Sequence, residues 1–373
     1  MPVSVQTAIN LLEKLAPKKL AYEWDNAGLQ LGSLQGDTSA IYVTLDVTEQ
    51  TLAEAESLGA RLVISHHPLF FKPLKAVRTD LPAGRIVQKA LAAKITIYAA
   101  HTNLDLAKGG VNDALAARLG LAETTVLRRD GQHELEKLVV FVPRGYEDDV
   151  HRAMSAAGAG WIGQYSHCSF QVPGTGTFLP REGAKPFLGE EGKLEKAAEI
   201  RLETIVPSGL RKRVIRAMLD AHPYEEVAYD IYPLRNDGEA YGLGRIGILQ
   251  QPCSLPDFCQ FVKDRLQIPF LRVAGSTDRL VRKVAVCGGT GSELLQAAAF
   301  AGADVLVTSD VKYHEAQEAW TTGVAVIDAG HDATERVIVP VLRDYLQEQL
   351  QTAGHHDVKV FASTIETSPW QAF

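Results

Sequence analysis

The stretch GARLVISHHP, residues 59–68, decides the fold class of this chain. Its glycine ends a segment with helical character, residues 48–58, and a short apolar run follows from Leu62 to Ser65. A run of this length between turn signals is typical of a strand buried on both faces of a sheet. Ligand sites of parallel sheets lie beyond the carboxyl ends of the strands, so His66 and His67 become candidate site residues.

The residues around this stretch alternate between strand and helix patterns with short connections. Strands are predicted at 41–46, 61–65 and 95–100, and helices at 48–58 and 82–93, the first with Thr48 as a possible N-cap. This alternation indicates a mostly parallel sheet covered by helices.

The far end of the chain repeats this plan. Strands are predicted at 281–287, 304–308 and 324–328, with helices at 292–300 and 314–320. GARLVIS at 59–65 is similar to GADVLVT at 302–308, and AAH at 99–101 is similar to AGH at 329–331. The pattern predicts an internal duplication of one α/β unit of roughly 100 residues. The alternative is chance similarity between buried strands.

A different order of elements separates the two halves. Strands at 137–143, around 167–172, at 199–207 and at 227–232 are interleaved with helices at 146–157 and 210–221. The resulting order β-α-β-β-α-β is that of a ferredoxin-like unit. We therefore predict an α/β domain, residues 1–128 and 279–373, interrupted by an inserted α+β domain at 129–278.

The composition restricts the classes of partner. The 373 residues carry a net charge of −7, which makes a nucleic acid an unfavourable partner. No stretch of about 20 apolar residues predicts a membrane span, and the first residues lack the features of a signal peptide. None of the four cysteines forms a C-x-x-C pair, so reduced, buried thiols in a cytoplasmic protein are expected.

Histidine and carboxylate pairs follow two further strands. His101 precedes Asp105 by four residues, and His331 precedes Glu335 by the same distance. On a helix this spacing places both side chains on one face. Imidazole and carboxylate together suit Zn, Mn, Fe or similar divalent ions. Each fragment alone could instead be a helix cap, a surface salt bridge or a pair of surface histidines.

Together, these fragments indicate a shared metal site. Five or six ligands are too many for one tetrahedral ion and suit two ions about 3.5–4 Å apart, bridged by a carboxylate. Two such ions lower the pKa of a shared water, which fits hydrolysis. We draw one helix over residues 334–349, in which Pro340 would introduce a kink that affects the direction of Glu335.

Three other features have two interpretations each. The loop Gly288–Ser292 either approaches a phosphate or forms a tight structural turn. Trp24, in a polar loop, either contacts substrate or, as we prefer, is a buried anchor. Asp310 and His314 either line the metal cavity without being ligands, as we prefer, or bind a metal ion directly.

Several motifs together resemble the NIF-three-like family. They are SHHPL at 65–69, HTNLD at 101–105, GHDATE at 330–335 and WDNAGL at 24–29. AHPYEEVAYDIYP at 221–233 resembles the signature of the inserted domain in longer members, with Val227 where proline is frequent. The resemblance runs from about residue 5 to about residue 370.

The resemblance implies a dinuclear metal centre. By motif, the ligands fall on His66, His67, Asp105, His331 and Glu335, with Glu335 as the bridge. His101 would be a nearby non-ligand and a candidate proton shuttle. The resemblance further implies a ring-shaped homohexamer and an inserted domain similar to the trimer-forming CutA and PII fold. The name used for bacterial members, GTP cyclohydrolase I type 2 homolog, implies opening of the GTP imidazole ring, although no residue here selects guanine.

Three functions follow as hypotheses. The first is a dinuclear metal-dependent hydrolase of a nucleotide-like or phosphorylated small molecule, with His101 and Glu335 as catalytic groups that transfer protons. The second is a metal-binding hexameric sensor or scaffold protein without turnover, and a third is metal handling. Zinc is the favoured ion, with iron and manganese as alternatives, and no organic cofactor is expected.

Overall fold

The computed structural model describes residues 1–371, which form two compact units. Unit 1 comprises Met1–Asp130 and the chain from Tyr241 onward, and unit 2 comprises Gly131–Ala240. None of the helices within residues 1–371 is both long and apolar enough to cross a membrane.

The strands, in chain order, are β1 (Val3–Ser4), β2 (Gly28–Leu31), β3 (Asp37–Thr38), β4 (Ala40–Thr44), β5 (Leu62–Ser65), β6 (Thr96–Ala99), β7 (Ala122–Gln132), β8 (Leu135–Pro143), β9 (Ser169–Phe178), β10 (Glu195–Pro207), β11 (Tyr229–Pro233), β12 (Ala240–Ser254), β13 (Arg272–Ala274), β14 (Leu280–Thr290), β15 (Val305–Ser309), β16 (Ala325–Asp328) and β17 (Lys359–Ala362). The α-helices are α1 (Val5–Leu15), α2 (Glu49–Ser57), α3 (Pro82–Ala92), α4 (Thr102–Leu106), α5 (Val111–Arg118), α6 (Glu147–Ala156), α7 (Arg211–Ala221), α8 (Leu255–Leu266), α9 (Leu295–Phe300), α10 (Tyr313–Thr322), α11 (His331–Glu335) and α12 (Ile338–Thr352).

Unit 1 contains two mixed sheets of similar arrangement. The first has the order β17-β4-β5-β6-β2, in which only β2 runs antiparallel to its neighbour. The second has the order β13-β16-β15-β14-β12-β7, with β14, β15 and β16 parallel and β13 antiparallel to β16. The series β4-β5-β6-β2 and β14-β15-β16-β13 therefore agree in order and direction, which supports the repeat inferred from the sequence.

A helix N-cap and two glycines determine where helices begin and end in the two similar stretches. Thr48 caps α2 by accepting a hydrogen bond from the Thr51 amide, as predicted from the sequence. Gly59 and Gly302, with φ of +71° and +74°, follow α2 and α9 and turn the chain towards β5 and β15. Left-handed backbone at these positions favours glycine, which explains why the two similar stretches begin with it.

The parallel strands are apolar because helices cover both faces of each sheet. In the first sheet, Ile41 and Ile64 pack in a core with α1 and α12, whereas Tyr42 and Val63 pack in a core with α2 and α3. In the second sheet, Val305 faces the helices α5 and α8.

Unit 2 has an antiparallel four-stranded sheet of order β11-β8-β10-β9. Its elements follow one another as β8-α6-β9-β10-α7-β11. Its core contains Val140, Met154, Leu202 and Met218, from the central strands and both helices.

The chain from Tyr241 to about residue 278 lies in unit 1, whereas the sequence placed it in the insertion. Phe258 and Val262 of α8 are fully buried in the core of the second sheet. Arg245 of β12, also buried, forms a bidentate ion pair with Asp113 of α5 at 2.9 and 2.8 Å. These contacts fix β12 and α8 to unit 1.

The prediction of one continuous helix over residues 334–349 is wrong, because the structure has two helices there. α11 ends at Glu335, and α12 begins at Ile338. Pro340 therefore lies in the first turn of α12, where a missing amide hydrogen costs no intrahelical hydrogen bond. No kink is needed, and Glu335 is held by a separate short helix.

Candidate metal centre

The six residues predicted for the site lie together at the carboxyl ends of three strands. His66 and His67 follow β5 directly, and His101 follows β6 as the N-cap residue of α4. Asp105 is buried within α4. His331 and Glu335 occupy the first and last positions of α11, one helical turn apart.

Two groups of potential ligand atoms share the carboxylate of Glu335. Its Oε1 lies 3.6 Å from His66 Nε2, which is also 3.6 Å from Asp105 Oδ1. Its Oε2 lies 2.8 Å from His67 Nε2 and 3.2 Å from His331 Nε2. Within each group the ligand atoms lie within 4.8 Å of one another, a spacing that could hold a metal ion.

His101 stands beside these groups. Together with His66 and His67 it forms a third set of nitrogen atoms within 4.8 Å of one another. His101 therefore faces the same space as the two groups that share Glu335.

The outward-facing ring nitrogens are all held by acceptors. His66 Nδ1 donates to the Ala100 carbonyl at 2.9 Å. His67 Nδ1 lies 2.7 Å from Asp46, His101 Nδ1 lies 2.8 Å from Asp25, and His331 Nδ1 lies 2.5 Å from Asp310. Acceptors on Nδ1 fix the tautomer that turns Nε2 towards an ion, a frequent arrangement around metal-binding histidines.

The sequence analysis did not assign Asp46 and Asp25 to the site. Asp46 follows β4 and so stands at the same sheet edge as His66, which was an available signal. Asp25 belongs to the quoted WDNAGL motif but sits in a loop. Of the two residues proposed to line the cavity, Asp310 contacts His331, whereas His314 hydrogen-bonds Gln317 and is absent from the ligand groups of the described residues.

Two buried polar atoms of the site lack a hydrogen bond from any described residue. They are His66 Nε2 and Asp105 Oδ1, which face each other across 3.6 Å. Buried polar atoms in folded proteins are nearly always paired, so an unpaired nitrogen and oxygen facing each other call for a further partner. A divalent cation accepts both atom types as ligands, and the site therefore fits a metal ion.

The pKa values of the imidazoles and carboxylates in the site depend on burial and on one another. Burial lowers the pKa of His67, but the hydrogen bonds with Asp46 and Glu335 outweigh burial and raise it to about 10. Burial raises the pKa of Asp105 to about 7. Burial has the same tendency at Glu335, but His66 and His331 hold its pKa well below the usual range. Glu335 is thus the ionised carboxylate that the surrounding imidazoles share.

Two glycines at the carboxyl end of β14, where the loop Gly288–Ser292 begins, support the site through the space they leave. The amides of Gly288 and Gly289 donate to Asn112 Oδ1 and Thr334 Oγ1, each at 3.0 Å, so neither is directed at a phosphate. A Cβ on Gly289 would lie 2.2 Å from Glu335 Oε1. The loop is a tight turn that leaves room for the carboxylate of Glu335.

The preference for a buried Trp24 is wrong, since 61% of its surface is exposed. Its ring stacks on Tyr22 at 5.7 Å and lies 6.0 Å from Phe71, which is also exposed. Both Trp24 and Phe71 are within 6.4 Å of the His101 ring. The aromatic rim formed by Tyr22, Trp24 and Phe71 therefore borders the metal centre.

Proteins similar to this chain match it over nearly its whole length. Residues 3–369 match the family described as Duf34/NIF3 (NGG1p interacting factor 3). The chain is 46% identical over 365 residues to a Halalkalibacterium halodurans protein named GTP cyclohydrolase 1 type 2 homolog, covering 98% of each chain. A Bacillus subtilis protein of the same name is 45% identical over 371 residues, covering 99% of this chain and 98% of its own.

A solved structure gives the same result for the fold. The crystal structure of a Bacillus cereus protein related to NIF3 is 47% identical, covers 98% of both chains and superposes with a TM-score of 0.92. The resemblance expected from the motifs is confirmed, and the chain belongs to the Duf34/NIF3 family.

Proposed function

We propose that this chain is a dinuclear metal-dependent hydrolase that acts on a nucleotide-like or phosphorylated small molecule. The observation that carries the proposal is the position of Glu335 between two ligand groups. One oxygen faces His66 and Asp105, and the other faces His67 and His331. A carboxylate shared in this way is the usual bridge of a two-metal site.

Each side chain has a distinct part in this proposal. His66, Asp105 and Glu335 would hold one ion, and His67, His331 and Glu335 the other. When bound, two divalent ions supply Lewis acidity and a water of lowered pKa. Asp46, Asp310 and the Ala100 carbonyl orient the imidazoles. Zinc is our first choice of ion, with iron and manganese as alternatives.

His101 is the proposed proton carrier. Asp25 holds its Nδ1 at 2.8 Å, and Thr102 also donates to Asp25, through Oγ1 at 2.5 Å. This arrangement leaves Nε2 for exchange of a proton with a reacting group, while Asp25 stabilises the imidazolium that forms. Glu335, beside the same space, is the second group proposed to transfer protons.

The aromatic rim supports a substrate with a planar ring. Trp24 and Phe71 expose large apolar surface next to the imidazole of His101, an arrangement that suits stacking of a heteroaromatic ring. The name of the relatives from Halalkalibacterium halodurans and Bacillus subtilis points to a purine nucleotide. GTP is therefore the first compound to test, and release of formate the first reaction.

Substitution of the shared ligands tests the proposal. We expect natively purified protein to contain about two divalent ions per chain, measured by mass spectrometry of the metals. Glu335→Gln and His66→Ala should lose at least one ion and reduce turnover to background. His314→Ala is the matched control, because it removes an imidazole outside the ligand groups.

His101→Gln separates metal binding from proton transfer in the same experiment. We expect full metal content with turnover lowered by about 10²–10⁴-fold. Fully metallated wild-type protein that turns over neither GTP nor other nucleotides and phosphoesters would contradict the hydrolase proposal. Loss of metal from His101→Gln would instead make His101 a ligand.

A second candidate is a metal-binding sensor or scaffold without turnover, assembled as a homohexamer. The large cavity of unit 2, about 1070 Å³ and separate from the metal ligands, favours it. Effector binding that changes the mass of the assembly in light scattering, without product, would support this function over hydrolysis.

We also propose a specific fold for unit 2 and a duplication within unit 1. The order β8-α6-β9-β10-α7-β11 and the antiparallel sheet support a ferredoxin-like, CutA- or PII-like insertion between two halves of one duplicated domain. A cytoplasmic location and a ring of six chains belong to this proposal as well.

A further inference from the structure

Unit 2 contains a cavity that the metal chemistry does not use. Its volume is about 1070 Å³, against about 570 Å³ for the cavity beside His67 and His331. Strands β9 and β10, the segment 179–188 and residues 224–226 contribute to its lining. The cavity thus includes residues 224–226 of the AHPYEEVAYDIYP motif, which has no part in the metal centre.

A buried carboxylate lines this cavity. Glu199 of β10 is only 9% exposed, and its Oε1 accepts a hydrogen bond from the Tyr224 hydroxyl at 3.0 Å. Its Oε2 lies over Gly176 of β9, where a Cβ would approach to 2.1 Å. Among the described residues, no Lys, Arg or His nitrogen forms an ion pair with Glu199. A buried carboxylate without a cation is costly, so a positively charged partner would stabilise it.

Two residues of the AHPYEEVAYDIYP motif, His222 and Tyr224, orient the Glu199 carboxylate. His222 is buried; its Nε2 donates to the Phe141 carbonyl at 3.0 Å, and its Nδ1 accepts from the Tyr224 amide at 3.1 Å. Burial lowers the pKa of His222, in agreement with this neutral form. His222 is therefore a positioning residue that fixes Tyr224, whose hydroxyl in turn fixes Glu199.

Aromatic rings surround the same carboxylate. The Tyr224 ring lies 6.1 Å from the Phe178 ring and 6.1 Å from the Phe187 ring. Phe187 lies in the segment between β9 and β10 and exposes 46% of its surface. Aromatic faces attract organic cations, and their apolar edges accommodate a hydrocarbon body.

We propose that this cavity binds a small organic amine with an apolar body. The ammonium group donates hydrogen bonds to Glu199, and the rings of Tyr224 and Phe187 contact the hydrocarbon part. Inorganic cations fit less well, because Glu199 is the one buried carboxylate of the lining, whereas Glu182, Glu225 and Glu226 are exposed. One buried carboxylate offers too few oxygen ligands for calcium or magnesium. The nearby guanidinium of Arg201 lies 3.3 Å from Glu203 and is thereby partly neutralised.

Three probes of similar shape and different charge test the proposal on the full chain. They are phenethylamine, its neutral counterpart 2-phenylethanol and the anion 3-phenylpropanoate, each titrated calorimetrically. We expect phenethylamine to bind about tenfold more tightly than the alcohol, and the anion not to bind. Glu199→Gln should abolish the preference for the amine.

Matched variants separate recognition from folding. Glu134→Gln removes an exposed carboxylate of unit 2 outside the cavity lining and should retain the preference. Phe187→Leu changes a half-exposed ring without threatening the core and should weaken amine binding about fivefold. Equal binding of amine and alcohol, no amine binding, or a preference that survives Glu199→Gln would overturn the proposal. None of these outcomes depends on the hydrolase activity.

Discussion

Glu335 reaches the candidate metal centre across the backbone of Gly289. The φ angle of this glycine is +62°, and the space that a Cβ would fill lies 2.2 Å from the carboxylate oxygen Oε1. The carboxylate of Glu335 can therefore occupy its position because Gly289, on β14, has no side chain.

We predict that Gly289→Ala lowers metal content by displacing Glu335. The left-handed backbone alone costs about 1 kcal/mol for alanine. Gly302→Ala is the matched control, because Gly302 has a φ of +74° and no atom within 4 Å of its Cβ position. Both variants should unfold at lower denaturant concentration, but only Gly289→Ala should lose metal. Equal metal content in the two variants would show that Glu335 can adapt.

At this scale, the sequence indicated the candidate ligands but not the residues that orient them. His66 and His67 were found because they end an apolar strand, and Glu335 because it follows His331 by one helical turn. Asp46 and Asp25 escaped assignment, since a loop carboxylate gives no sign of the imidazole it contacts until the chain is folded. Trp24 was misplaced because a large aromatic residue usually packs inside, whereas here it stacks on Tyr22 at the surface.

Among the elements, α2 is joined to the C-terminal segment by one carboxylate. Glu54 of α2 accepts hydrogen bonds from the Tyr42 hydroxyl of β4 and from Thr364 Oγ1, which follows β17. Burial tends to raise the pKa of Glu54, but these hydrogen bonds outweigh burial and lower it. Because the pKa is lower in the folded chain than in the unfolded chain, ionised Glu54 stabilises the fold.

This stabilisation should depend on pH with a definite sign. It is present above the unfolded pKa of about 4.3 and is lost as the pH falls through the lower, folded value. We expect Glu54→Gln to reduce the free energy of unfolding by about 1 kcal/mol at pH 7, with the difference disappearing in acid. Urea unfolding of both proteins from pH 3 to 7 measures it, with Glu56→Gln, an exposed position on α2, as control. A constant difference across this range would refute the assignment.

Elements with strong periodic patterns were predicted well, and those built by tertiary contacts were not. Strands β5, β6, β15 and β16 lie where their apolar runs indicated. The long strands β7 and β12 were missed, because β7 is rich in polar residues and β12 contains three glycines and one proline that interrupt the pattern. The break between α11 and α12 was missed because Pro340 predicts a kink and an early helix position equally well.

For the whole molecule, the candidate metal centre joins segments that are distant in the chain. His67 and Glu335 are 268 positions apart, yet their side chains lie at 2.8 Å. Ions bound there would stabilise unit 1 by mass action, since the unfolded chain does not preserve this spacing.

We therefore predict that removal of the metal by a chelator increases amide hydrogen exchange in unit 1 but not in unit 2. Removing the metal should increase amide hydrogen exchange in β5, α4 and α11, while the exchange of β8 and β10 in unit 2 stays unchanged. Hydrogen exchange followed by mass spectrometry, with and without a chelator, measures both. Glu335→Gln should exchange like the chelated protein, and equal loss of protection in both units would contradict a local effect.

The insertion leaves and re-enters unit 1 at neighbouring strands. β7 and β12 lie side by side in the second sheet, and the Leu243 amide donates to Asp130 at 3.0 Å, next to both junctions. A tight hairpin could span this gap without any change in the order of the remaining strands. A single genetic deletion or exchange between these two junctions could therefore produce a shorter protein, or one with a different accessory module, that still assembles the same ligands.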